Sequence, residues 1–564
     1  MSPDLIRPST SGVSLRVLAE RSGGLRGATD VPPDLYVTGV SLDSRAVRPG
    51  DLYAALPGHH VHGARFAADA VRLGAVAVIT DDAGAAAIEA QGAPGVPVLV
   101  SDIPRARLGR IAATVYGDPG SHLTMIGITG TNGKTTTAYL LESALRALGQ
   151  RTGLIGTVET RIGEERLDSA YTTPESPDLH AFLAVMRERG ADTCVMEVSS
   201  HALHQHRVDG VVYDVALFTN LSQDHLDYHH SMEDYFDAKA GLFTPERCRA
   251  GVVCVDDDWG RRLVERATVP VTTLTTTGLD SPDGSDGSDG PDGSDGSDGT
   301  DADWAVAAAR PADARPDAAQ GGGFLLRNRT GDVSLDLVSH LPGSFNIANT
   351  AIAAVTLIRL GFAPHRVEAA LAVPPVVPGR MEVVAAGGGG QPRCIVDFAH
   401  TPDAIDAALA ALRPSTQGRL IAVLGAGGDR DRSKREAMGL AAGRRADVVI
   451  VTDDNPRSED PATIREAVLA GARRAVREGR ARATEVLDGG RRTQAINKAV
   501  AMAVHDSSDS SDSSDSTGSS VVDTVVVLGK VHEKGQEIHG VKHPFDDRDA
   551  VRSALTAAMV GGTR

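Results

Sequence analysis

At 564 residues the chain is too long for one hydrophobic core and points to about three domains. Its formal net charge of −17 argues against nucleic acid or an anionic membrane as the main partner, although much of the acidity sits in two low-complexity stretches. Four cysteines without C-x-x-C spacing, no signal-peptide core at the N-terminus and no apolar run of membrane-spanning length lead us to expect a soluble, cytoplasmic protein with reduced thiols.

The first segment, residues 1–121, reads as a small α/β domain. A turn at Pro49-Gly50 separates extended stretches, and a helix over 66–73 precedes a strand over 75–80. Taken alone, Asp43-Ser44-Arg45 is a turn with solvated charge.

The second segment, 122–377, opens with Met125-Ile126-Gly127-Ile128-Thr129-Gly130-Thr131-Asn132-Gly133-Lys134-Thr135-Thr136-Thr137. An apolar strand feeds a glycine-bearing turn, and 138–148 then has helical spacing. Gly130 and Gly133 let backbone N–H groups converge on phosphate oxygens, Lys134 supplies a point charge, and Thr135 offers a hydroxyl to magnesium. Ile128 stands where the general phosphate-loop pattern has a glycine. By itself the loop establishes only that a nucleoside triphosphate binds.

Further buried strands are expected over 193–198 and 215–219, each ending in a polar cluster: Glu197-Val198-Ser199-Ser200-His201, and Asn220 through Asp224-His225 to Asp227. In open parallel sheets ligands bind at the carboxyl ends of strands. Glu197 and His225 can therefore reach a magnesium ion, or else cap the loops that follow. His201, His204 and His206 lack a zinc-binding pattern. Residues 234–243 read as a helix on which Lys239 would ordinarily snorkel to solvent. Asp-Gly-Ser repeats over about 278–303 and Asp-Ser repeats over about 506–520 have nothing to bury and read as disordered surface insertions.

Leu341-Pro342-Gly343-Ser344-Phe345-Asn346-Ile347-Ala348-Asn349 precedes an apolar helix over 350–360, and the proline-rich stretch 373–378 reads as a linker. The third segment, 378–564, begins near Gly379-Arg380 and brings strands over 394–397, 420–424, 448–452 and 524–528. Each is followed by polar residues: Asp397 to Pro402, Gly427 to Arg432, Asp453 to Arg457, and Gly529-Lys530-Val531-His532-Glu533. Four polar strand ends look like the second wall of a cleft facing the phosphate loop.

Together, Thr129 to Thr135, Glu197 to His201, Asn220 with Asp224-His225, Gly343 to Asn346, and His400-Thr401-Pro402 resemble the Mur ligase family of peptidoglycan synthesis, in the family's order and over nearly the whole chain. The resemblance implies three domains: a small N-terminal α/β domain for a UDP-sugar, a central phosphate-loop ATPase domain with a mainly parallel sheet, and a C-terminal Rossmann-like α/β domain for an amino acid. It implies amide ligation driven by ATP with Mg2+, on small-molecule substrates, by a monomer.

By similarity, Lys134 and Arg380 hold phosphates, with Gly130 to Thr136, Asn346 and Asp397 around the ATP. Thr135, Glu197 and His225 serve magnesium, and Lys239 matches a lysine carboxylated at N6 that binds a second magnesium. Leu42, Ser44, His59, His60 and Val61 would meet the uridine end of a UDP-MurNAc-dipeptide, and Thr172, Thr173, Ser199, Gln205 and Arg207 its peptide end. Asp454-Asn455-Pro456-Arg457 is similar to the signature of members that add diaminopimelate, whose pocket would also include Arg430, Gly529 and Glu533. Arg457 suits a distal carboxylate. Val531 departs from the family, which has glycine there. Ligases adding lysine, folylpolyglutamate synthases and nucleotide-driven switches are the rival readings.

Overall fold

The computed structural model describes residues 7–27, 31–32, 34–58, 61–92, 95–167, 171–276, 302–310, 322–388, 391–509, 522–530 and 535–561. His59, His60, Val531, His532, Glu533 and most of both repeats lie outside them.

Three mainly parallel sheets follow one another along the chain. The first has four parallel strands, Gly39–Ser41, Asp51–Ala54, Ala77–Thr80 and Val98–Val100, side by side in sequence order. The expected helix over 66–73 is shorter. A 3-10 turn at Gly63–Phe66 precedes the helix Ala67–Arg72, with the His62 imidazole capping the Ala64 N–H.

The second sheet has eleven strands with Thr124–Thr129 near its middle, flanked in parallel by Thr193–Glu197 and Val215–Phe218. Both edges turn antiparallel, through Thr160–Ile162 with Glu165–Leu167 on one side and Gly323–Asn328 with Ser334–Val338 on the other. Register sets the chemistry: Glu197 lies beside Ile128 and Phe218 beside Thr129, so three strand ends open together where the connections depart to opposite sides. Helices cover both faces, which is why these strands are continuous apolar runs; Met125, Ile126 and Ile128 are fully buried. Each such side chain contributes about 1.5–3 kcal/mol by leaving water.

The third sheet has six strands in the order Glu382–Ala385, Arg393–Asp397, Thr524–Leu528, Leu420–Leu424, Val448–Thr452 and Glu485–Gly490, all parallel except the first. Asp397 is level with Leu528, so the polar residues following both strands share one edge.

Several expected boundaries move, among them the helix over 234–243, which runs Met232–Ala240. The helix expected over 350–360 runs Ser344–Arg359, because Gly343 at φ 101° lets the chain turn directly into it. The second repeat, expected from 506, starts inside the helix Arg492–Asp509.

Candidate active site

The strand Thr124–Thr129 delivers the chain into Gly130 (φ 144°) and Gly133 (φ 88°), and the helix Lys134–Ala147 begins at once. A Cβ on Gly130 would lie 1.9 Å from Thr219 Oγ1, and one on Gly133 would lie 2.4 Å from Asn349 Oδ1. Both positions therefore demand glycine, on space as well as on backbone angle. The loop is strapped to the next strand end: Asn132 N donates to Asn220 Oδ1 (2.9 Å), and Thr219 Oγ1 to the Asn132 carbonyl (2.6 Å).

Two lysines meet on this loop. Lys134 Nζ donates to the carbonyls of Gly130 and Thr131, both at 2.8 Å, and Lys239 Nζ donates to the same Gly130 carbonyl, also at 2.8 Å. Lys239 does not snorkel. It is 1% exposed, its ammonium 4.5 Å from the centre of the Tyr235 ring. Burial, and then the neighbouring Lys134, push its pKa well below the ordinary lysine value.

Glu197 is buried at the end of its strand, one carboxylate oxygen accepting from Thr157 N and the other from Thr157 Oγ1, both at 2.9 Å. His225 follows with φ 56°, its side chain 42% exposed, and partial desolvation in the cleft lowers its pKa below the usual histidine range. Thr135, Glu197 and His225 line the same cavity as Lys134 and Lys239, about 1010 Å³ in volume. A hydroxyl, a carboxylate and an imidazole are ligand types that a hard divalent cation accepts, although among the described residues no three His, Cys, Asp or Glu side chains are gathered into a metal-holding group.

The third sheet supplies the opposite wall. Arg380 donates to Thr135 Oγ1 (3.0 Å) across the cleft and stacks 4.5 Å from the Phe398 ring centre. Asp397 accepts from the N–H groups of Met381 and Ala399, both at 2.8 Å. Burial disfavours charge on both Arg380 and Asp397, and each partly restores the other. Arg457, at φ 52°, donates to the Gly428 carbonyl (2.6 Å) and stands 3.6 Å from the Glu537 carboxylate. Asn455 Oδ1 accepts from Lys530 Nζ at 2.7 Å and from Glu537 N at 2.9 Å.

Of the residues singled out in the sequence, Thr131 to Thr136, Thr172, Thr173, Glu197, Ser199, Arg207, His225, Lys239, Asn346, Arg380, Asp397, Arg430, Asp454, Asn455, Arg457 and Gly529 line this cavity. Gly130 and Pro456 contribute backbone behind it. Gln205 also lies behind it, its Oε1 accepting from Arg207 at 2.7 Å. Leu42, Ser44 and Val61 do not reach the cavity. They belong to the first sheet's region, where Arg45 pairs with Asp43 as a local turn would.

Residues not read as functional also point in: Asn349 against Gly133, Thr157 on Glu197, and Lys434, whose Nζ sits 3.0 Å from Asp224. Only Asn349 left a local signal, six residues past the Gly343 turn and within the motif already quoted.

Among the described residues no helix is long and apolar enough to cross a membrane. A Gly-Lys-Thr loop on a parallel sheet, facing a Rossmann-like wall that carries Arg380, Arg430 and Arg457 across one cleft, is the arrangement of an ATP-dependent enzyme, and its family matches make it a ligase that forms amide bonds. Residues 36–116, 128–357 and 379–531 match, respectively, the Mur ligase family catalytic domain, the Mur ligase middle domain and the Mur ligase glutamate ligase domain. A UDP-N-acetylmuramoyl-L-alanyl-D-glutamate–2,6-diaminopimelate ligase from Streptomyces avermitilis is 48% identical over 97% of this chain and 98% of its own length. One from Corynebacterium glutamicum is 43% identical over 93% and 92%. A solved structure of an enzyme of that name superposes with a TM-score of 0.61 at 30% identity, covering 97% of this chain and 99% of the other. The chain belongs to the Mur ligase family.

Proposed function

We propose that the chain joins diaminopimelate to the γ-carboxylate of the D-glutamyl residue of UDP-N-acetylmuramoyl-L-alanyl-D-glutamate, working as a cytoplasmic monomer. The γ-phosphoryl of ATP passes to a carboxylate oxygen, releasing ADP. The neutral amine of diaminopimelate then attacks the acyl carbon, phosphate leaves, and the amine's proton goes to solvent. The observation that carries this reading is that Lys134 and Arg457, on different sheets, line one cavity.

The roles follow from charge. Negative charge gathers on the transferring phosphoryl group, and Lys134 and Arg380 meet it from opposite walls. Magnesium, held by Thr135, Glu197 and His225, would neutralise phosphate oxygens when bound. Lys239, whose burial lowers its pKa well below the ordinary lysine value, is suited to take up carbon dioxide through its neutral form as an anionic carbamate. Arg457 offers a planar fork to the distal carboxylate of diaminopimelate, with Arg430, Asp454, Asn455 and Gly529 around it and Glu533 as the partner for an ammonium. We assign residues 1–121 to the UDP-sugar, 122–377 to ATP and 378–564 to the amino acid.

The test is ATP-dependent ligation with purified nucleotide dipeptide and a panel of amino acids, including separate diaminopimelate isomers. Diaminopimelate should be used at least about 10³-fold better in kcat/KM than lysine, which brings no distal carboxylate to Arg457. Equal use of lysine, or phosphate release without a new amide, would overturn the reading.

A further inference from the structure

We propose that Lys434 is a positioning residue for the ligation, reaching from the third sheet's domain into the central domain to pin Asp224 and hold the two walls of the cleft in one register. The proposal rests on the function above. Asp224 follows the strand Val215–Phe218, and Lys434 opens the helix Lys434–Arg445, 210 residues away. Their side chains are only 7% and 12% exposed.

Asp224 is fully engaged. Oδ1 accepts from His225 N at 2.9 Å and from Lys434 Nζ at 3.0 Å, and Oδ2 lies 3.5 Å from His225 Nε2 and 3.7 Å from His400 Nε2. Of the four groups around this one carboxylate, two therefore come from His225, which faces the candidate metal position, and one each from two separate elements of the opposite domain. Weaker contacts run alongside: Gln223 Nε2 donates to Ser433 Oγ (3.3 Å), and Arg430 stands 3.7 Å from Asp227.

Lys434 is poorly chosen for its helix. A cation in the first turn opposes the helix dipole, and Ser433 makes no side-chain cap. A buried ion pair is also a weak source of stability, because desolvation of both charges offsets their attraction. What the pair supplies is geometric definition. The next residue, Arg435, donates to both oxygens of Glu459 (3.1 and 2.9 Å) and to the Gly427 carbonyl (3.1 Å). Gly428 N in turn donates to the Asn455 carbonyl (2.8 Å), and Arg457 to the Gly428 carbonyl (2.6 Å). The Lys434 helix and the loop carrying Arg457 therefore form one hydrogen-bonded body. Fixing Lys434 on Asp224 fixes the acceptor pocket relative to His225 and the phosphate loop.

The experiment compares Lys434→Met, Lys434→Arg and Asp224→Asn in the full chain. Steady-state kinetics are measured for all three substrates, and small-angle scattering with and without a non-hydrolysable ATP analogue plus nucleotide dipeptide. Lys434→Met should lower kcat by about 10²-fold while the KM for ATP stays within about twofold, and it should lose the ligand-induced compaction of the wild type. Lys434→Arg should recover to within about tenfold, since charge and reach are kept. Asp224→Asn should lose compaction in the same way. The proposal falls if Lys434→Met keeps kcat within about threefold, or if it loses kcat with compaction intact. Scattering uses no acceptor amino acid, so an error in the acceptor assignment would show in the wild-type panel and not here.

Discussion

Lys239 illustrates how a single buried residue changes the chemistry open to a site. A lysine whose direct partners are a shared carbonyl and an aromatic ring, with Lys134 on the same acceptor, has only the nearby Asp224 charge to favour its protonated form, and burial outweighs it. A neutral amine reacts with carbon dioxide, and the product reverses the residue's charge. Lys239→Ala is expected to lower kcat by about 10²-fold or more, with partial rescue by bicarbonate, and native mass spectrometry should find one carbon dioxide on the wild type. Full activity of the variant without rescue would remove the role. Arg457 makes the complementary case. Its left-handed backbone and its bond to the Gly428 carbonyl pre-set the guanidinium within the cavity lining. Arg457→Ala should cost about 2–5 kcal/mol in kcat/KM for diaminopimelate, the range for truncating one side of a desolvated charge pair. Kinetics unchanged with diaminopimelate would defeat the assignment.

The elements show what apolar pattern can and cannot disclose. Residues 420–424, 448–452 and 524–528 are legible as strands because a parallel strand covered on both faces is a continuous apolar run. The strands Thr160–Ile162 and Glu165–Leu167 went unread because three residues are too few to set a period, and Ser334–Val338 because its alternation covers only five residues beside a polar turn. Ser344 to Asn346 looked like a loop for a related reason: the first turn of that helix is polar because it faces the cleft. Asp224 is visible as part of a polar strand end, but its pairing with Lys434 carries no local signal, because that meaning arises only when two domains meet. The pairing of helices Lys434–Arg445 and Pro461–Arg477 was likewise invisible, although glycines build it. A Cβ on Gly439 would lie 1.8 Å from the Val468 carbonyl oxygen, and one on Gly471 the same distance from that of Glu436. Backbone contact this close admits no methyl group without separating the helices. Gly471→Ala should cost about 1–3 kcal/mol of stability, read by urea denaturation, and should raise the KM for the acceptor because the Arg435–Glu459 link spans the same joint. A variant as stable as the wild type would show that the helices slide apart freely.

At the scale of the whole molecule, the first domain is tied to the central one by a seam as close as that helix joint. A Cβ on Gly109, in the helix Pro104–Val115, would lie 2.1 Å from the Asp209 carbonyl oxygen, and one on Gly210 would lie 2.8 Å from that of Gly109 and 2.9 Å from His180 Nε2. His180, in the helix Ser176–Glu188, is 1% exposed. Its Nε2 bonds the Asp209 carbonyl at 3.0 Å, and its buried Nδ1 has no partner among the described residues, so the ring is held as the neutral tautomer with Nε2 protonated. A second proton would put an N–H on Nδ1 with nothing to accept it, and burial lowers the pKa to about 4 from an ordinary 6.5. The sign follows. Below pH 6.5 the unfolded chain takes up a proton that the folded chain refuses, so stability is complete above that pH and falls as the pH drops toward 4. The loss over that window is about 3 kcal/mol for this one ring. It should appear first at the seam, as protease cutting between the first two domains at mildly acidic pH. His180→Gln carries no titrating group and should remove this share of the pH dependence, so that wild type and variant converge in relative stability on acidification. Parallel pH profiles for the two proteins would show that the seam does not sense protons through His180.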